Sequence, residues 1–196
     1  VFIADEVQPG FARTGQAFFG FARHGIVPDM ITMGKPMGNG IPISGLAAKE
    51  DVLAAFSDKL PYFNTFGGNP VSIAAAQAVL KYIKDENLQE HCKKAGAALL
   101  KALKEVQERH PESVGDVRGA GLFLGFEFVK NDGNKTPDKD MALNVIEMLR
   151  DEHILTSVIG HYGNILKLRP PMVFSENDID WFATSLDKCI TKLENK

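Results

Sequence analysis

The stretch Met30-Ile-Thr-Met-Gly-Lys35-Pro-Met-Gly-Asn-Gly-Ile-Pro42 constrains the fold more than any other part of the chain. Met30 to Met33 is a run of strand length, and it stops at Gly34 and Lys35 among glycines and prolines that a regular strand does not absorb. A short apolar run bounded in this way reads as a buried strand that delivers its last side chain to the edge of a sheet. In open α/β sheets, ligands bind at the carboxyl ends of the strands. Lys35 is therefore the candidate reactive group, set against the alternative of a surface lysine in a turn.

The chain around it supports an α/β reading. Val1-Phe-Ile-Ala is an apolar strand ending in the acidic pair Asp5-Glu6, and Val7-Gln8-Pro9-Gly10 turns after it. Asp5 at the strand's carboxyl end suits a ligand; the alternative is a cap for the adjoining turn. Phe11 to Gly25 reads as a loop entering a short helix, Met30 to Met33 as the second strand and Ile43 to Ala48 as the third. Lys49 to about Ser57 is a helix. Tyr62-Phe-Asn-Thr65-Phe-Gly-Gly68-Asn-Pro70 is a small-residue loop ahead of a helix over Val71 to Ile83. Such a loop suits phosphate oxygens when its N–H groups point outward; an ordinary helix entry is the alternative.

Leu88 to Arg109 has a long helical period, with Leu99, Leu100, Leu103 and Val106 on one face. Val114 to Val129 reads as two strands around a turn at Gly119 to Gly121. Met141 to Arg150 is a helix, Ile154 to Ser157 and Ile165 to Leu168 are strands, and Ser175 caps a terminal amphipathic helix reaching Leu193. The expected division is an α/β domain over residues 1–88 and a smaller α+β domain over 89–196.

Composition narrows the function classes. The 196 residues are 44% hydrophobic and 24% charged, which are globular values. A net charge of −3 without a long basic run argues against a general nucleic-acid or anionic-membrane binder. No apolar run approaches the ~20 residues of a membrane helix. Cys92 and Cys189 lack any metal-ligand or redox spacing, so a reducing, cytoplasmic compartment is expected. The chain opens on strand-like residues without an initiator methionine, the expectation for a piece of a longer polypeptide.

Asp5, Lys35 and Thr65 follow one another at equal intervals of 30 residues. Pyridoxal phosphate chemistry asks for such a set: a lysine for the Schiff base, an acid on the pyridinium nitrogen, and donors for the phosphate. At these residues the sequence resembles the class III (ω-amino-acid type) aminotransferases of fold-type I pyridoxal-phosphate enzymes. The resemblance is carried by Asp5-Glu-Val-Gln-Pro-Gly-Phe-Ala-Arg-Thr-Gly15, Pro28-Asp-Met-Ile-Thr-Met-Gly-Lys35, Gly38-Asn-Gly-Ile-Pro-Ile43 and Asn64-Thr-Phe-Gly-Gly-Asn-Pro70. Val117-Arg-Gly-Ala-Gly-Leu122 and Leu168-Arg-Pro-Pro171 continue it.

The resemblance implies the C-terminal part of a three-layer α/β/α large domain followed by a small α+β domain. It implies Lys35 as the Schiff-base lysine, Asp5 on the ring nitrogen, Val7 against the ring face and Gln8 at the ring's phenolic oxygen. It also implies Thr65 on the cofactor phosphate of a neighbouring subunit, hence a homodimer. Substrates would be an amino acid and an oxo acid. Arg169, on a stiff segment before two prolines, can clamp a carboxylate through two hydrogen bonds; a structural ion pair is the alternative. Structural roles are expected for Arg13 and Arg118. Met33-Gly-Lys35-Pro-Met-Gly-Asn-Gly40 and Tyr62-Phe-Asn-Thr-Phe-Gly-Gly68 look most like the branch that includes phospho-lyases of phosphoethanolamine and phosphohydroxylysine. That branch tends to carry lysine where this chain has Arg169, which tilts the expectation toward an aminotransferase.

Overall fold

The computed structural model of the protein describes residues 1–195. They divide into two compact units, Val1–Glu90 and a second that begins at His91.

The first unit is built on a three-stranded sheet of β1 (Ile3–Asp5), β2 (Met30–Met33) and β3 (Gly45–Ala48), in that order. β1 and β2 run parallel, with Asp5 opposite Thr32; β3 returns antiparallel to β2. Between β1 and β2 the chain makes a 3-10 turn over Gly20–His24, closed by Gly25 at φ +66°. After β2 it makes another over Lys35–Gly38, and Pro36 at the turn's second position suits that geometry. Two helices come next, α1 (Glu50–Ser57) and α2 (Pro70–Asp85).

The second unit has a closed core. α3 (Leu88–Arg109), β4 (Val114–Ala120), β5 (Phe123–Phe128), α4 (Lys139–Asp151), β6 (Ser157–Ile159), β7 (Ile165–Leu168) and α5 (Glu176–Glu194) succeed one another along the chain. The sheet runs β4-β5-β7-β6 with every pairing antiparallel. Alternation along β5 and β7 turns Leu124, Phe126, Phe128, Leu166 and Leu168 inward. Onto that face pack the buried stripes of the helices, such as Leu99, Leu103 and Val106 of α3 and Phe182, Leu186 and Ile190 of α5. Each such side chain contributes about 1.5–3 kcal/mol by leaving water.

Helix ends obey the local chemistry. Ser175 and Asp178 form a reciprocal capping box at the start of α5, and Asp138 caps α4 by accepting the Met141 N–H at 2.9 Å. At the other end of α3, buried His110 has its ring nitrogens 2.7 Å from Glu194 Oε2 and 3.1 Å from Asp187 Oδ1, which ties α3 to α5.

One expected strand is displaced. Ile154 to Ser157 reads as a strand, but the ladder begins at Ser157, which pairs with Lys167. The Ile154 N–H instead bonds the Leu149 carbonyl at 2.8 Å as α4 unwinds, and Leu155 is exposed. The apolar pair therefore serves the exit of a helix.

Gly96 of α3 has no room for a side chain: a Cβ there would lie 2.3 Å from the backbone of Gly121. In an isolated helix Gly96→Ala would add stability. Here the overpacking term wins, so Gly96→Ala should destabilise by about 1–3 kcal/mol, read as a lowered thermal midpoint.

Candidate active site

Because β1 and β2 are parallel, their carboxyl ends lie at the same sheet edge, and each presents a sequence-expected residue there. Asp5 ends β1 with its side chain outward. Its Oδ1 accepts the Val7 N–H at 3.1 Å and the Thr32 hydroxyl at 3.4 Å. Asp5 is therefore oriented by the turn after its own strand and by the residue opposite it on β2.

Lys35 lies two residues beyond the end of β2. The following proline disfavours the right-handed helical region for Lys35, and Lys35 adopts φ +35°. A non-glycine residue held at positive φ costs of order 1–3 kcal/mol. Its ammonium is exposed and makes no ion pair among the described residues. Val7 and Gln8 are half-buried in the turn after Asp5. Val7 Cγ2 sits 3.9 Å from where a Cβ on Gly34 would be, so the turn carrying Val7 packs beside the turn carrying Lys35. The structure thus brings Asp5, Val7, Gln8 and Lys35 to one edge.

Thr65 is exposed in the loop before α2 and makes no hydrogen bond among the described residues. The loop is organised by its two asparagines. Asn64 Oδ1 accepts the N–H groups of Phe66 at 3.1 Å and Gly67 at 2.9 Å. Asn69 caps α2 by accepting the Ser72 N–H at 3.0 Å, and Ser72 donates its hydroxyl to the Pro42 carbonyl at 2.9 Å. That last bond ties the loop to the segment following Lys35. The expectation of outward-pointing donors needs correction here: at Phe66 and Gly67 they are turned onto Asn64, which leaves Thr65 itself as the group presented outward. The loop forms one wall of an open cavity of about 1000 Å³ lined also by Thr32, Met33 and Ser44.

Arg169 belongs to the second unit. It comes directly after β7 and lies half-buried with its guanidinium 5.4 Å from the centre of the Phe123 ring, a cation–π contact. Burial pushes its pKa below the ordinary arginine value, and no carboxylate pairs with it among the described residues. The structural ion pair that was the alternative for Arg169 is not formed there. It lines a cavity of about 460 Å³ with Lys167, Thr156, Ser157, Leu99 and Phe182. Arg118 differs: Asp116 and Glu127 each hold its guanidinium at 2.6 Å, and Glu127 first, then Asp116, raises its pKa.

In the sequence Asp5-Glu6 reads as one acidic pair, whereas the structure separates the two side chains. Glu6 is 2% exposed and accepts the Gly20 N–H at 2.7 Å and the Phe21 N–H at 2.8 Å. The signal was strand alternation, which points neighbouring side chains to opposite faces.

A family model described as aminotransferase class III matches residues 1–190. Among curated relatives, ethanolamine-phosphate phospho-lyase homolog 1 of Caenorhabditis elegans is 44% identical over 192 residues, 96% of this chain and 41% of the relative. Alanine–glyoxylate aminotransferase 2 homolog 2, mitochondrial, of Arabidopsis thaliana is 40% identical over 193 residues, 98% of this chain and 40% of the relative. The chain thus spans about two fifths of the length of these relatives. Among solved structures, a phospholyase from Arthrobacter in complex with phosphoethanolamine matches with a TM-score of 0.92 and 39% identity, over 96% of this chain and 44% of that one. A transaminase from the marine bacterium Virgibacillus matches with a TM-score of 0.91 and 31% identity, over 100% and 46%.

Loss of the α2 cap should loosen the Thr65 loop. Asn69→Ala is expected to lower stability by about 1 kcal/mol and to speed amide exchange at Ser72, measured by hydrogen–deuterium exchange.

Proposed function

The chain belongs to the class III aminotransferase family, whose enzymes depend on pyridoxal phosphate, and from that premise we propose that it forms the lysine-bearing part of an aminotransferase acting on an ω- or α-amino acid and an oxo acid. The observation that carries this reading is the common edge at which parallel β1 and β2 present Asp5 and a Lys35 without an ion pair among the described residues. In this reading residues 1–88 are the C-terminal part of the cofactor-binding large domain, and 89–196 are the small α+β domain.

The residues present fit the cofactor. Asp5 is an exposed carboxylate already oriented through Oδ1, and it would accept the N–H of the ring nitrogen. Lys35 offers an amine for the aldehyde carbon, with no carboxylate holding it among the described residues. Val7 would pack on the ring and Gln8 would reach its phenolic oxygen. Thr65, outward and unbonded among the described residues, would donate its hydroxyl to the phosphate in a neighbouring subunit, which is why a homodimer is proposed. Bound there, the cofactor supplies a sink for the charge left on a substrate carbon when its proton departs. Lys35 Nζ would take that proton and return one as general base and acid. Arg169 would grip the substrate carboxylate with its planar fork; that guanidinium is partly desolvated without a carboxylate partner among the described residues, and an anion would offset the cost. Cys92 and Cys189 are both buried, and neither forms a disulfide among the described residues. No helix among the described residues is long and apolar enough to cross a membrane.

A second reading rests on the 44% identity to the phospho-lyase homolog and the likeness to the phosphoethanolamine-bound structure. There, Lys35 would remove a proton while phosphate leaves the adjacent carbon, and Arg169 would face phosphate.

In the full-length enzyme, Lys35→Ala should abolish the absorbance band of covalently held cofactor and lower turnover by about 10²–10⁴-fold, the contribution of a positioned base; an unchanged band would sink the assignment. Product analysis separates the two reactions. Amino transfer requires an oxo acid and should release no inorganic phosphate from phosphoethanolamine. Phosphate and ammonia appearing without any oxo acid would establish the lyase.

A further inference from the structure

Among the described residues of the first unit, Glu6 is the buried carboxylate, and the proposed chemistry leaves it unused. Burying an ionised carboxylate is costly unless donors surround it, and here they do. Oε2 accepts the Gly20 N–H at 2.7 Å and Oε1 the Phe21 N–H at 2.8 Å. The residue's backbone is held as firmly, its N–H donating to the Thr32 carbonyl at 3.0 Å and its carbonyl accepting the Gly10 N–H at 3.1 Å. The surroundings admit little else. A Cβ on Gly10 would lie 2.6 Å from the Glu6 carbonyl oxygen, and one on Gly20 would lie 2.7 Å from Pro9 and 3.3 Å from Glu6 Oε2.

These four bonds bear on the neighbouring residue. Thr32 accepts the Glu6 N–H through its carbonyl and donates its hydroxyl to Asp5. The turn closed by the Gly10 bond also contains Val7, whose N–H is the other donor to Asp5. Alternation then turns Asp5 outward because Glu6 is fixed inward. We propose that Glu6 is a positioning residue for Asp5: by clamping the Gly20–Phe21 backbone it locks the Asp5-to-Gly10 turn, and so sets the direction in which the Asp5 carboxylate meets the cofactor ring nitrogen. The cofactor half of this inference rests on the function proposed above; the clamp itself does not.

The test uses the full-length enzyme with Glu6→Gln, whose side chain keeps one acceptor and sets an NH2 group against the other N–H. Two signals are expected. Amide exchange at Val7 should quicken about 10-fold or more, and the pH midpoint of the bound cofactor's visible band should move up by about one pH unit, since a ring nitrogen whose proton Asp5 holds less well draws less charge from the imine nitrogen that titrates there. Ile83→Ala, a core truncation in α2, serves as the control and should lower the melting temperature without moving that midpoint. If exchange quickens at Gly20 and Phe21 while Val7 or the midpoint stays at its wild-type value, Glu6 serves only the 3-10 turn and the proposal is overturned. If wild-type enzyme shows no covalent cofactor band, the functional reading has failed, and Val7 exchange alone decides the clamp. Should Glu6→Gln not fold, Gly20→Ala, which crowds Pro9 and Oε2 but keeps the carboxylate, is judged by the same two signals.

Discussion

Parallel pairing of β1 with β2 is the constraint on which the candidate site depends. An antiparallel pair would have sent Asp5 and Lys35 to opposite ends of the sheet. The parallel register sets Asp5 against Thr32, three residues before Lys35, so the acid and the amine emerge at one edge from elements that share a ladder. Parallel strands need a long crossover. The segment between β1 and β2 supplies it, and Glu6 anchors that segment through its bonds to Gly20 and Phe21. The crossover is thus fastened to the strand it leaves, one residue from Asp5.

The two units differ in how they hold themselves together. The second has a continuous core drawn from three helices and a four-stranded sheet. In the first, few apolar side chains are buried, whereas Phe63 and Phe66 are more than 80% exposed and Ile3 of β1 is 53% exposed. Exposed apolar area on this scale marks an interaction surface. The neighbouring subunit proposed above would cover it.

Much of this was legible in the chain. Met30 to Met33 and Ile165 to Leu168 are strands at the bounds their apolar runs suggest, and α3 spans the helical period from Leu88 to Arg109. Such elements declare themselves because burial periodicity is a local property. The features that could not be read depend on partners far along the chain. Nothing near Glu6 announces that Gly20 and Phe21 will satisfy it. Asn64 turns the loop's donors inward through bonds that any loop rich in small polar residues could have directed elsewhere. The displacement of β6 has the same origin: Ile154 and Leu155 look like strand residues, yet pairing with Lys167 starts at Ser157 and the exit of α4 claims the residues before it.

On the proposed reading, the choice between transfer and elimination does not lie at the sheet edge. Both reactions begin with removal of a proton from a substrate carbon, and both ask Lys35 for the base and Asp5 for the charge on the ring nitrogen. They diverge only if the neighbouring carbon carries a group that can leave with its electron pair. A phosphate there departs; without such a group, the proton returns elsewhere and the nitrogen is transferred. Selection therefore falls to whatever holds the far end of the substrate. Arg169 meets the chemical requirement, because a guanidinium stacked on Phe123 and without a carboxylate among the described residues has its fork available to an anion. One fold can thus host both activities while its lysine and acid stay unchanged. On that reading the leaving group carried by the substrate, and neither Lys35 nor Asp5, decides which bond breaks.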